Sequence, residues 1–174
     1  MRKALGSLLV AAALCGASAA LASAATITMS PGGNIVATIR NLGFEGIVIP
    51  LFICTVTLTG TLATGPITLP GRVGTITAVR AGECTGGHTA VANRLPWELT
   101  GQTALACPSA STGLLGTLPA SFTLDGVLTG NGSLGLLLSS GSNAALVLLS
   151  RLSNGVIILG AGGIYTQVQV IRCA

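Results

Sequence analysis

Apolar and polar residues alternate in short runs along this chain, and glycine or proline breaks the runs every few positions. In Cys54–Thr59, Thr55, Thr57 and Thr59 alternate with Val56 and Leu58. A period of two puts threonine on one face of a strand and the aliphatic side chains on the other. In Ile164–Cys173, Gln167 and Gln169 alternate with Val168 and Val170 in the same way, which predicts glutamine on the polar face and valine on the apolar one. Ile35–Arg40 and Val73–Arg80 complete the best strand candidates.

Turn chemistry falls between these runs. Asp125-Gly126, Asn131-Gly132 and Asn154-Gly155 all suit tight hairpin turns, with a bulge within Ser121–Thr129 as the alternative for the first. Ala144–Leu152 is the one helix candidate, with Ser142 or Asn143 as its cap. Its run Leu146-Val147-Leu148-Leu149 equally suits a buried strand, and the flanking strand-and-turn pattern favours the strand. Gly60–Gly71 and Cys107–Gly116 read as loops. The sum is a single all-β domain, an antiparallel β-sandwich or β-barrel, with no internal repeat.

The first 24 residues fall outside that pattern. Met1-Arg2-Lys3 is a basic start, Ala4–Leu14 is an apolar run too short to cross a bilayer, and Ala22-Ser23-Ala24 offers a cleavage site, with Ala20-Leu21-Ala22 competing. Residues 1–24 are thus expected to be a cleaved signal peptide and 25–174 the working domain, secreted or at the cell surface. Leu14 before Cys15 argues against a lipid-modified cysteine.

Cleavage changes the charge balance. It leaves six arginines, no lysine and four carboxylates, Glu45, Glu83, Glu98 and Asp125, so the formal charge falls from +4 to +2. High hydrophobicity with 7% charged residues excludes intrinsic disorder, and scattered arginines with few aromatics exclude a nucleic-acid partner. From Leu114 to Ile171 the only charged residues are Asp125 and Arg151. That half is either buried on both faces or covered by Ser and Thr; the sharper alternative is an exposed apolar surface for assembly, lipid or envelope contact.

Cleavage also removes Cys15, leaving Cys54, Cys84, Cys107 and Cys173 as disulfide candidates. Of the three pairings, Cys84–Cys107 with Cys54–Cys173 is favoured. The first bond would staple a local excursion and the second would tie an early strand to the last.

Little else carries chemistry. A serine triad would draw on His88, Asp125 and a serine, and the nearest approach to a nucleophile elbow, Asn131-Gly132-Ser133-Leu134-Gly135, lacks the first glycine and a following helix. Cys84 and His88 are spaced like zinc ligands, with Cys107 as a third, but a disulfide beside a Gly-Gly turn with an exposed histidine is the preferred reading. Trp97, in Leu95-Pro96-Trp97, is expected in the core with its indole N–H satisfied. No catalytic, cofactor-binding or metal residue is assigned, and no cofactor is expected.

Cys54-x-Val56-Thr57-Leu58-x-Gly60-x-Leu62, Gly74-x-Ile76-Thr77-Ala78, Cys84-Thr85-Gly86-Gly87, Leu95-Pro96-Trp97 and Gly116-Thr117-Leu118-Pro119 occur in that order. Over about residues 54–119 the chain resembles small exported β-proteins of actinobacteria that are usually left uncharacterised. The resemblance implies a Gram-positive exporter and a disulfide-containing β-fold, with no reaction and no ligand. The functional expectation is a non-enzymatic structural or binding module at or outside the cell surface. The alternatives are a carrier of a small hydrophobic ligand inside a barrel, and an oligomeric envelope protein. Partners are then an envelope component, another protein or a hydrophobic small molecule, with self-association open.

Overall fold

The computed structural model describes residues 25–105 and 113–174. The proposed leader and Cys107 lie outside these residues. The strands are β1 (Thr26–Ser30), β2 (Gly33–Gly46), β3 (Ile49–Leu62), β4 (Gly65–Thr68), β5 (Gly71–Gly82), β6 (Ala90–Ala92) and β7 (Trp97–Leu105). They continue with β8 (Gly113–Leu124), β9 (Leu128–Ser139), β10 (Ser142–Val147), β11 (Ser150–Arg151), β12 (Ile157–Leu159) and β13 (Gly162–Cys173).

Eight of them, β2-β3-β5-β7-β8-β9-β10-β13, pair antiparallel in that order, and β13 returns to β2 to close a barrel. Closure removes the free edges an open sheet would expose. The short strands extend the wall where long ones part. β13 leaves β2 after Ile39, and β12 takes over at Gly43–Glu45, with β11 beside it. β6 continues along β8 at Phe122–Leu124, beyond the stretch held by β7. At the opposite end β1 pairs with the last residues of β13, and β4 pairs with β1.

The four best strand candidates all lie inside long strands, and Ala144–Val147 belongs to β10. In β3 the alternation holds: Val56 and Leu58 are buried, and Thr55, Thr57 and Thr59 face out. Asp125-Gly126 turns β8 into β9, and Asn154-Gly155 turns β11 into β12. Asn131-Gly132 does not turn. It runs through β9 opposite Ser121 and Ala120, because the chain had already reversed at Asp125-Gly126. Gly60–Gly71 is not one loop either, since it holds the end of β3 and all of β4.

The faces of β13 are the reverse of the expectation. Gln169 is fully buried and Val168 is half exposed. A strand has one parity, and Tyr165 and Ile171, both buried, lie on the same side as Gln169. Two large apolar side chains thus outweigh two valines. Opposite β10 the register jumps between Ser142↔Gln169 and Ala144↔Ile164, so β13 bulges there. Neither side-chain amide atom of Gln169 has a hydrogen-bond partner. Burying an amide without partners costs about 1–3 kcal/mol on mutational scales. Gln169→Met, of similar length, is therefore expected to raise stability by about 1–2 kcal/mol in urea unfolding. An unchanged or lower midpoint would show the amide to be satisfied.

The interior is filled with side chains. Ile27, Met29, Val73, Leu114 and Ile171 occupy the end near β1 and β4. Phe44, Phe52, Phe122, Trp97, Val156 and Ile158 occupy the other. Between them Ile35, Leu58, Ile76, Leu99, Val147 and Tyr165 line a cavity of about 20 Å³. That is room for about one water, and an apolar lining keeps such a void dry. Burial pushes the Tyr165 phenol far above its ordinary value, so it stays neutral.

Candidate functional site: the loop end of the barrel

Four connections meet at the aromatic end: the β2–β3 turn at Ile47-Val48, residues 83–89, the β8–β9 turn at Asp125-Gly126-Val127, and the Ser153–Gly155 turn. Their closeness is visible at two glycines. A Cβ on Gly155 would strike the Ile47 side chain, and one on Gly46 would strike Leu128 at the base of the β8–β9 turn.

Beneath them runs a chain of rings. His88 stacks on Phe52 with centroids 4.9 Å apart, Phe52 on Phe44 at 5.6 Å, and Phe44 meets Phe122 edge-on at 5.1 Å. Phe122 meets Trp97 edge-on at 5.4 Å. Trp97 is buried as expected, and its Nε1–H donates to the Asn93 carbonyl at 2.8 Å. Asn93 in turn donates to Thr123 Oγ1 at 2.9 Å, which anchors the segment after β6 along β8.

Residues 83–89 are held over this end by two fastenings. Cys84 is disulfide-bonded to Cys54, which corrects both favoured pairings. The reason is the β3–β5 hairpin: Thr55 pairs with Gly82, so Cys54 and Cys84 sit next to the same rung, with Cα atoms 4.1 Å apart. Cys173 is also disulfide-bonded. With its sulfur committed to Cys54, Cys84 supplies no thiolate for zinc, and no group of three or more metal-ligating side chains occurs among the described residues.

The second fastening is His88, which is not the loosely exposed side chain expected. Its Nδ1 lies 2.7 Å from Asp125 Oδ2. Asp125 Oδ1 accepts the Thr89 backbone N–H at 2.8 Å, and the Asp125 N–H donates to the Thr89 carbonyl at 3.0 Å. Asp125 has φ of 48°, so the turn that reverses the chain also aims its carboxylate at His88. The triad reading named these two residues, and the fold brings them together. It leaves Ser133 far off: that serine faces outward opposite Pro119, five rungs from the turn, or roughly 17 Å at strand rise.

The hydrogen bond from His88, then that from the Thr89 backbone, holds the Asp125 carboxyl below its ordinary 3.8. A carboxylate with a depressed folded pKa stabilises the fold above the unfolded value, and that contribution is lost as pH falls through the folded one. Asp125→Asn is thus expected to lower the melting temperature at neutral pH. It should also flatten the decline of the wild-type melting temperature as pH falls below about 4. Parallel curves for the two proteins would remove Asp125 from the acid response.

The surface above the clasp is apolar. Val48, Ile47 and Val127, at 78%, 77% and 76% exposure, are the most exposed large hydrophobic side chains among the described residues. Sequence reasoning missed them, although the signal was present: Ile47-Val48 is a β-branched pair set between Gly46 and Ile49-Pro50, where a tight turn ordinarily carries Asn, Asp or Gly. Three of the four acidic side chains of residues 25–174 belong to these connections or their flanks: Glu45 just before the β2–β3 turn, Glu83 in residues 83–89, and Asp125 in the β8–β9 turn. Farther along β8, a groove of about 150 Å³ is lined by Arg94, Trp97, Ser121 and Asn131. Its polar groups are partly spent, since Ser121 Oγ donates to Asn131 Oδ1 at 2.7 Å. Comparison with protein-family models, with curated proteins and with solved structures gives no match.

Proposed function

We propose that this protein is an exported, non-enzymatic binding module that works at or outside the cell surface and meets its partner with the loop end of the barrel. The observation that carries the reading is the cluster Ile47, Val48 and Val127. Large apolar side chains this exposed gain little from burial within the chain, so contact outside it is the reason to keep them. A sequence that breaks a local rule at a well-built place is where function is expected. The disulfide and the His88–Asp125 clasp hold the neighbouring segment rigid, which limits the entropy lost on binding. Acids around the tips favour a partner surface that is apolar with a neutral or basic border.

The disulfides are compatible with an oxidising compartment, and so support export. The carrier alternative draws less support, because the interior cavity has room for about one water.

The test replaces all three tips, Ile47→Ser, Val48→Ser and Val127→Ser, and measures retention of the purified protein on the cells that produce it. The wild type is expected to be retained and the triple variant to lose at least ten-fold in retention, with its melting temperature nearly unchanged because these side chains are exposed. Equal retention of both proteins would sink the reading.

A further inference from the structure

Along β8 the neighbouring strand changes. β7 pairs with it as far as Thr100↔Thr117, and β6 takes over at Ala92↔Phe122. Residues 118–121 lie between those two stretches, and the β6–β7 connection begins beside them at Asn93. Asn93 is tied down at three atoms. Its backbone N–H donates to the Ser121 carbonyl at 2.8 Å, its carbonyl accepts the Trp97 Nε1–H at 2.8 Å, and its side chain donates to Thr123 Oγ1 at 2.9 Å. Arg94 follows with φ of 57°, a left-handed conformation uncommon for so large a side chain. Conformations of this kind gather at ligand sites, where the surrounding structure enforces them. The groove of about 150 Å³ lies at this parting of the wall, lined by the apolar Trp97, Pro119 and Ala120 and by the polar Ser121, Asn131 and Arg94.

The polar side of the groove is built from donors, and no carboxylate lines it. The ion pairs among the described residues are Arg72–Glu98 and His88–Asp125, so the Arg94 guanidinium has no acidic partner there. The buried Ser121 hydroxyl donates to Asn131 Oδ1 at 2.7 Å, which leaves the Asn131 side-chain N–H groups without a partner among the described residues. A guanidinium fork beside an amide donor matches the two oxygens of a carboxylate. A phosphate, closer to two charges at neutral pH, exceeds what one guanidinium balances. The indole, pyrrolidine and methyl walls suit a carbon body rather than a bare ion, and about 150 Å³ is room for a six-membered ring. We propose that this groove binds the carboxylate of a small ring acid, either an aromatic acid or the uronic acid of a saccharide. Arg94 and Asn131 hold the carboxylate, and Trp97, Pro119 and Ala120 receive the ring. Arg94 is exposed, so the charge pair is partly solvated and Kd is expected on the order of 1–10 mM. None of these residues belongs to the tip cluster, and the site stands without the reading given there.

Trp97 is the only tryptophan in the chain, so its indole Nε1–H gives a single nuclear magnetic resonance signal that reports on the groove. The test titrates the purified, oxidised, isotope-labelled protein with benzoate and, separately, with glucuronate, against chloride at matched ionic strength. Saturable shifts of that signal and of the Ser121 and Asn131 amides are expected with at least one acid, and the acid that binds names the source. Benzyl alcohol and glucose, which keep the ring and lack the carboxylate, are expected to bind at least ten-fold more weakly. Arg94→Gln, folded by its melting curve because the side chain is exposed, is expected to lose at least ten-fold in affinity. Arg72→Gln, which removes a guanidinium engaged with Glu98, is expected to bind like the wild type. Absence of a saturable shift with both acids overturns the proposal. So does an Arg94→Gln variant that binds like the wild type, and so do neutral analogues that bind as tightly as the acids. Tighter binding of inorganic phosphate than of either acid would make the groove a general anion site and overturn its assignment to carboxylates.

Discussion

Phe122→Ala is expected to cost about 3–5 kcal/mol, the largest loss from any single substitution considered for this protein. The side chain is fully buried and lies between two rings, edge-on to Phe44 at 5.1 Å and to Trp97 at 5.4 Å. Removing it deletes both edge contacts and leaves a void that the neighbours cannot close. Phe44 is held in β2 opposite Phe52, and Trp97 is tied through its indole N–H to Asn93. On the other side, Gly130 stands opposite Phe122 in β9 and is already covered by Val156, which leaves no slack side chain to slide in. For a domain of this size a loss near 4 kcal/mol lowers the melting temperature by roughly 8–16 °C. Thermal denaturation by circular dichroism reads it directly. A drop of only a few degrees would mean that the aromatic end repacks freely and that the ring chain contributes little.

How much of this was legible in the residues depends on the range over which each signal acts. The all-β class follows from period-two runs and turn residues, and those are local: Thr55, Thr57 and Thr59 face out because nothing in β3 competes with Val56 and Leu58 for the interior. Closure into a barrel is not local. It depends on β13 returning to β2, over a hundred residues apart in the chain, and no pattern within either strand encodes it. Gln169 shows a local pattern overruled: Tyr165 and Ile171 set the parity of β13, and the glutamine is carried inside with them.

Around the site the same division holds. His88 and Asp125 were visible as the only imidazole and a turn carboxylate, but their 2.7 Å contact needs the β8–β9 turn to sit above the segment after β5. The disulfide pairing turned on one register fact, Thr55 opposite Gly82, which is unavailable until β3 and β5 are aligned. The outward leucines of β8, β9 and β10 are likewise a product of register. Leu115, Leu137 and Leu146 look like core residues in isolation, and only their alternation with Leu114, Leu136 and Val147 inside the barrel puts them outside.

Replacing both Cys54 and Cys84 by alanine is expected to cost roughly 3–4 kcal/mol, from the entropy an open loop of this length regains in the unfolded chain. The two residues are 30 apart in sequence. Paired replacement avoids a reactive thiol, and the bond at Cys173 stays in place. The effect also has a folded-state part. Without Cys84, residues 83–89 keep the His88–Asp125 clasp with its two Thr89–Asp125 hydrogen bonds, the stacking of His88 on Phe52, and the hydrogen bond from the Ile53 N–H to Thr85 Oγ1 at 3.0 Å. Amide exchange at Ile53 and Thr89 should therefore accelerate more than exchange at Val56 or Leu58 in the middle of β3. The two fastenings also share one segment, so their losses should not add. In the alanine pair the segment is already loose, and Asp125→Asn should cost less there than in the wild type. Chemical denaturation of the four proteins in that cycle measures the coupling. Strict additivity would mean that the disulfide and the clasp hold the loop end independently, and that residues 83–89 are not one rigid strap across it.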